Sequence, residues 1–225
     1  MRWHIAFIGL VIASLAAAVT PLLAQQGPPA GREMLAAARR GDLAAVQALV
    51  AGGAPLDPRD DTQQTPLLLA VQGDHTTVAA WLIGAGADIN AQARNQDTPW
   101  LLAGALGRAE VLQLMIPRKP DLSIRNRFGG NALIPACERA HVEAVKVLLT
   151  TAININHVNN LGWTCLLEIV ILGHGGPRHV DVTRMVLAAG ADPNIADKQG
   201  VSPLAHARSK GQTEIARMIA VAGGK

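Results

Sequence analysis

Thr65-Pro66-Leu67-Leu68-Leu69-Ala70 returns 33 residues later as Thr98-Pro99-Trp100-Leu101-Leu102-Ala103. Another 33 residues bring Asn131-Ala132-Leu133-Ile134-Pro135-Ala136, and a further 33 bring Thr164-Cys165-Leu166-Leu167-Glu168-Ile169. After 38 more comes Ser202-Pro203-Leu204-Ala205-His206-Ala207. A fixed period of this length marks a stacked repeat, in which each unit is one supersecondary element that buries its apolar faces on its neighbours. Upstream, residues 32–37 lack the Thr-Pro start, yet Gly41-Asp42-Leu43 and Gly52-Gly53-Ala54-Pro55-Leu56-Asp57 fall at the equivalent places. They read as an atypical first unit, as a terminal cap should be.

Each part of the unit has a physical task. The Thr or Ser hydroxyl accepts from free N–H groups of the first helical turn, and Pro next to it has a fixed φ and no N–H to leave unpaired. A Gly such as Gly107 or Gly211 allows a tight turn into a second apolar helix, such as Glu143-Ala144-Val145-Lys146-Val147-Leu148-Leu149. Gly86-Ala87-Asp88-Ile89-Asn90 and Gly190-Ala191-Asp192-Pro193-Asn194 end that helix, with Gly in a left-handed conformation that a side chain resists. A hairpin-like loop then leads into the next unit.

These motifs resemble the ankyrin family, whose signature is a Thr-Pro-Leu-His-x-Ala start, a short Gly turn, a Leu-rich second helix and a Gly-Ala-Asp-x-Asn exit. The resemblance implies an all-α repeat solenoid over residues 32–225, with six repeats at 32–64, 65–97, 98–130, 131–163, 164–201 and 202–225. Three departures carry expectations of their own. Pro117-Arg118-Lys119-Pro120 replaces the Gly-Ala exit of the third repeat, so its second helix should end early and its finger should be distorted. Pro135 falls inside the first helix of the fourth repeat. Five extra residues within 172–182 should lengthen the turn between the fifth repeat's helices.

The first residues have a different character. Met1, Arg2 and His4 make a short basic start, residues 5–19 are almost wholly apolar, and Pro21-Leu22-Leu23-Ala24 leads into Gln25-Gln26-Gly27-Pro28-Pro29. That order is a secretory signal peptide over 1–24, with cleavage expected after Ala24, a second option after Ala18, and a linker at 25–31. It implies a periplasmic or secreted protein. The alternative is an uncleaved anchor that would make the chain a membrane-tethered scaffold, the one case in which membrane contact is expected. Pro21 and the small-residue end favour removal.

Composition narrows the function classes. Hydrophobic residues are 49% and charged residues 16%, which excludes a disordered polyelectrolyte. The formal charge of +3 is small and the Lys and Arg residues are scattered, so no nucleic-acid partner is implied. His75, His141 and His174 share one slot, ten residues after the Thr-equivalent, where the family resemblance implies a structural hydrogen bond. His174 and His179 flank Gly175-Gly176-Pro177-Arg178 and with His157 form the best case for a metal-dependent accessory or enzyme site, but no Cys or carboxylate stands at a ligand spacing. Cys137 and Cys165 sit at different repeat positions, offset by about five residues or some 7.5 Å along stacked helices, against the roughly 7 Å that a disulfide tolerates. Two buried free thiols are expected.

The expected function is therefore non-catalytic: a protein-binding module with no cofactor, no metal and no small-molecule substrate, because a solenoid offers an extended concave surface rather than an enclosed pocket. The resemblance places partners at the hairpin tips and the outer turn of each first helix. Carried over by register, this selects Arg94, Asn95 and Asp97, then Arg127 and Phe128, then Leu161 and Trp163, with Glu138, Arg139, Ile171 and Leu172 on the helices. Arg and aromatic residues dominate hot spots because they gain much on desolvation. For Trp163, packing on the adjoining loop is the competing expectation.

Overall fold

The computed structural model describes residues 29–225; the signal segment and most of the linker expected at 25–31 lie outside the described residues. The described chain is a stack of six antiparallel helix pairs with no strand. In order these are α1 (Pro29–Arg40) with α2 (Leu43–Ala51), α3 (Pro66–Gln72) with α4 (Thr76–Ala85), α5 (Pro99–Leu106) with α6 (Ala109–Met115), α7 (Leu133–Glu138) with α8 (Val142–Leu148), α9 (Cys165–Leu172) with α10 (Pro177–Ala188), and α11 (Pro203–Ser209) with α12 (Thr213–Val221). Helix α1 begins at Pro29, ahead of the repeat boundary expected at 32. First helices pack on first helices and second on second, so one apolar cluster runs unbroken from Met34 to Ile219. No helix among the described residues is long and apolar enough to cross a membrane.

The caps explain why the helices start where they do. Thr65, Thr98, Thr164 and Ser202 each accept a hydrogen bond from the backbone N–H three residues on, at 3.3, 3.1, 3.2 and 3.3 Å. Asn131 Oδ1 accepts from the N–H groups two and three residues on, those of Leu133 and Ile134. The loops between repeats close into fingers through one recurring backbone bond, from Asp60 to Gln64, Ala93 to Asp97, Asn126 to Gly130, Asn159 to Trp163 and Asp197 to Val201. Fingers also bond to one another: Arg94 N–H donates to the Thr62 carbonyl and Asn160 N–H to that of Phe128, both at 2.9 Å.

The departures resolve individually. Helix α6 does end early, at Met115, and passes through a 3₁₀ turn (Ile116–Arg118) to Lys119, which takes the left-handed conformation (φ 54°) in place of Gly. The following finger is not distorted, because Asp121 N–H still bonds to the Asn90 side chain of the preceding repeat at 2.9 Å and the 126–130 closure is intact. Pro135 sits in the first turn of the six-residue α7, where its missing N–H breaks no helical bond.

The five extra residues of the fifth repeat go partly into the turn and partly into a twelve-residue α10. This corrects the histidine slot. His75 bonds to the Arg39 carbonyl at 3.0 Å, and the equivalent contact in the fifth repeat comes from His179, which reaches the Glu138 carbonyl at 3.1 Å. His174 is exposed in the turn with its ring edge-on to His179. The insertion precedes His179 and moves it into the slot that a fixed count assigns to His174. His157 is likewise occupied, bonding to the Gly129 carbonyl at 2.6 Å.

A second correction concerns the cysteines. Both are buried, as expected, but they are joined as a disulfide with Cα atoms 5.5 Å apart. The in-register stack assumed above is wrong: adjacent first helices are splayed so that the C-terminal end of one meets the N-terminal end of the next. The preceding pair shows the same neighbours, since a Cβ on Gly104, equivalent to Cys137, would stand 2.9 Å from the Cβ of Ala132, equivalent to Cys165. The five-residue offset that argued against a bridge is the offset that brings the two thiols together.

Candidate functional site

The third and fourth fingers, together with α7 and α9, line a pocket of about 340 Å³. Six of the residues selected by register line it: Arg127, Phe128, Glu138, Arg139, Leu161 and Leu172. Larger hollows of about 540 and 410 Å³ lie at the two ends of the stack, the first walled mainly by alanines. The central pocket differs in its rim, because Phe128, Leu161 and Leu172 are exposed by 49, 48 and 43%. Large apolar side chains gathered at one opening are unusual on a free surface.

The polar walls are held from outside the pocket. The Arg127 guanidinium stacks 4.5 Å from the centre of the Phe128 ring and points toward Asp97, 3.9 Å away. Asp97 is also bonded by the Asn95 amide at 2.8 Å, and burial raises its pKa against the pull of Arg127 and Asn95. Arg139 turns back to the third repeat and donates to the Ala105 carbonyl at 2.7 Å. The second finger meets the third through Asp97 and Arg127, while the Arg94 backbone bond to Thr62 ties it to the first; Asn95 and Asp97 close their own loop, and none of these three second-finger residues lines the pocket. Trp163 and Ile171 lie half-buried against the core, so packing accounts for Trp163.

The floor holds residues that register did not select, Glu168 above all. It lies on α9, one turn past the Thr164 cap, and is 4% exposed. Its Oε1 accepts from the Asn159 amide at 2.9 Å. Burial, reinforced by the neighbouring Glu138 carboxylate and opposed by the Asn159 bond, pushes its pKa up to about 7. Among the described residues no ion pair reaches it, and neither pocket arginine acts on its charge. The signal was a lone carboxylate within Cys165-Leu166-Leu167-Glu168-Ile169-Val170, at the position that other repeats fill with Leu69 and Leu102. Among the described residues no group of three or more His, Cys, Asp or Glu could hold a metal ion.

Comparison with known proteins agrees with this architecture. The family model for ankyrin repeats (3 copies) matches residues 11–93 and 100–197. The chain is 38% identical over 181 residues to the putative ankyrin repeat protein YahD of Escherichia coli strain K12, covering 80% of this chain and 74% of that one. It superposes on an ankyrin repeat domain from Acinetobacter baumannii with a TM-score of 0.82 at 44% identity, covering 85% of this chain and 98% of that one. The ankyrin repeat domain of Bcl-3 follows with a TM-score of 0.75 at 29% identity and 86% coverage of each. Sequence match and shared helix pairs agree: the chain belongs to the ankyrin-repeat family, whose members are in general non-catalytic modules for protein–protein interaction.

Proposed function

We propose that the chain binds a protein partner on the concave centre of its stack, across the third and fourth fingers and the exposed ends of α7 and α9. The observation that carries this reading is the gathering of Phe128, Leu161 and Leu172 around one polar-floored pocket. Apolar side chains at such an opening gain by being covered, and the arginine contacts behind them keep the rim in place. The test compares the wild-type chain with a Phe128→Ala/Leu161→Ala variant in affinity capture from the source cells. Both side chains are exposed, so the variant keeps its helical circular dichroism, and the captured partner should be lost. A folded variant that retains every partner at unchanged affinity removes this surface from consideration.

A second reading, export to a periplasmic or secreted destination, is supported by the Cys137–Cys165 disulfide. Such bonds persist in oxidising compartments and are rare where thiols are kept reduced. The basic, apolar and small-residue order of residues 1–24 points the same way. Mass measurement of the chain from its native compartment tests it: a mature N-terminus at Gln25 is expected, and an intact Met1 in the membrane fraction overturns it.

A further inference from the structure

The pocket's floor and rim have different chemistry, and the difference narrows what the occupant must be. The rim is apolar, while the floor carries Glu168 beside Glu138. A buried carboxylate is normally matched by a cation, because leaving it unmatched costs its desolvation with nothing in return. The two arginines in the pocket wall do not supply that match. Arg127 is committed to Asp97 and the Phe128 face, and Arg139 to the Ala105 carbonyl. Elsewhere on the neighbouring elements, His179 of α10 is bonded to the Glu138 carbonyl, His206 of α11 to Asp197, Lys198 to the Asn160 carbonyl and Lys210 to the Ile171 carbonyl. The finger does not need the charge either: Asn159 donates to a single oxygen, a bond that a neutral amide oxygen would accept equally well.

We propose that this pocket takes an arginine side chain of the partner protein, its guanidinium seated against Glu168 and Glu138 while flanking apolar residues of the partner lie on Phe128, Leu161 and Leu172. This rests on the concave-surface reading above and gives it a ligand chemistry. A guanidinium suits the place better than an ammonium, because it is planar, more weakly hydrated and able to share its donors between two carboxylates. The raised pKa of Glu168 supports the assignment, since at neutral pH a carboxyl of this kind is only partly ionised until a cation draws it into the charged form. Binding then releases a proton. Affinity for an arginine ligand should therefore rise with pH between 6 and 8, where Glu168 titrates, while arginine itself stays charged throughout.

The experiment is selection of random heptapeptides displayed on phage against the full chain, followed by affinity measurement of the selected peptides as synthetic, end-capped molecules. Each is tested with its arginine intact and replaced by citrulline, the neutral isostere. Three proteins are used: wild type, Glu168→Gln, which keeps the Asn159 bond, and Phe128→Ala/Leu161→Ala. The expected result is arginine next to leucine-like residues, with affinity falling about tenfold or more on Glu168→Gln or citrulline and lost on the double variant. The citrulline peptide should also lose the rise in affinity with pH. Peptides that need Phe128 and Leu161 but not arginine or Glu168 overturn the cation assignment and leave the concave surface standing. Peptides indifferent to all the substitutions, or a library that yields none dependent on Glu168, overturn the proposal as well, and peptides that bind the double variant unchanged count against both readings.

Discussion

The fifth and sixth repeats solve one local problem with opposite charge arrangements. In each, the residue five before the helix cap sits at the base of the finger and meets the residue four after the cap: Asn159 with Glu168, and Asp197 with His206. The finger geometry is the same in both. Asn159 Oδ1 accepts from the N–H groups of Leu161 and Trp163 at 3.0 Å, and Asp197 Oδ1 accepts from those of Gln199 and Val201 at 2.9 Å. The remaining atom reaches the helix. In the sixth repeat that contact joins a carboxylate to a histidine, 2.7 Å apart, so the charge has a partner within the fold. In the fifth, the amide does the finger's work and the carboxylate has moved onto the helix, where among the described residues no ion pair reaches it. The fold requires a hydrogen bond at this place and not a charge, which leaves the charge of Glu168 free for another use.

The largest expected effect separates the two repeats by covalent linkage. Cys137 and Cys165 tie α7 to α9, the helices that carry Glu138 and Glu168, whereas the fifth and sixth repeats are joined by packing and by hydrogen bonds from Lys210 and Gln212. The bridge closes a loop of 28 residues, and constraint of the unfolded chain by a loop of that length contributes about 3.5 kcal/mol. A Cys137→Ala/Cys165→Ala variant should lose about that much in urea unfolding under oxidising conditions, and wild type in reductant should lose a similar amount. If reductant leaves the wild-type midpoint unchanged, the staple contributes nothing and the contrast between the two interfaces disappears.

The next effect sharpens the electrostatic contrast. Glu168 has a folded pKa raised to about 7, so the folded state favours the protonated form. Its stabilising contribution is complete below the unfolded glutamate pKa and is lost as pH rises through about 7. Asp197 has its pKa lowered, chiefly by the Val201 backbone N–H and then by His206, so its contribution is present at neutral pH and lost as pH falls through the folded value. The two variants should therefore behave oppositely. Glu168→Gln should match wild type at about pH 4 and below and exceed it by about 1–2 kcal/mol at pH 8, allowing for partial solvation of the site. Asp197→Asn should be less stable than wild type at neutral pH and converge with it in acid. Urea unfolding at four pH values checks both, and curves of the same sign would break the comparison.

The parts of this molecule that were legible in the sequence are those fixed by backbone chemistry. Thr65, Thr98 and Thr164 announced their helices because a cap acts within three residues of itself, and the left-handed exits at Gly86 and Gly190 act just as locally. Register also led to Phe128 and Leu161, because a finger tip lies at a fixed count from its cap. Two kinds of feature escaped. The Cys137–Cys165 bridge depends on how one helix is splayed against the next, which no count along a single repeat contains. His179 escaped because an insertion breaks the count itself. Glu168 was visible as a charge in an apolar run, but its meaning depends on what faces it: Asn159, Glu138 and, among the described residues, no ion-pair partner.

The smallest effect asks whether the two repeats differ in rigidity as well as in charge. Thr164 caps the helix that carries Glu168, and Ser202 caps the one that carries His206. The two hydroxyls accept the same capping bond, but Thr164 is 2% exposed and sits in the middle of the stack, whereas the Ser202 cap is solvent-exposed in the terminal repeat, where its hydroxyl also donates to the Lys225 carbonyl at 2.6 Å. Removing the buried cap leaves the Leu167 N–H with no acceptor and no water, so Thr164→Ala should cost about 1 kcal/mol or slightly more. At Ser202 water can take over the freed N–H, and the end of a solenoid opens locally before the whole unfolds, so Ser202→Ala should cost about 0.5 kcal/mol of global stability. Its main consequence should be faster hydrogen exchange confined to the amides of α11 and α12. Thr164→Ala should instead speed exchange on both sides of α9, because a central repeat cannot open without releasing its neighbours. Equal costs with equally local exchange would mean that the fifth repeat is no more firmly held than the sixth, and that the rim around Glu168 has no preformed support.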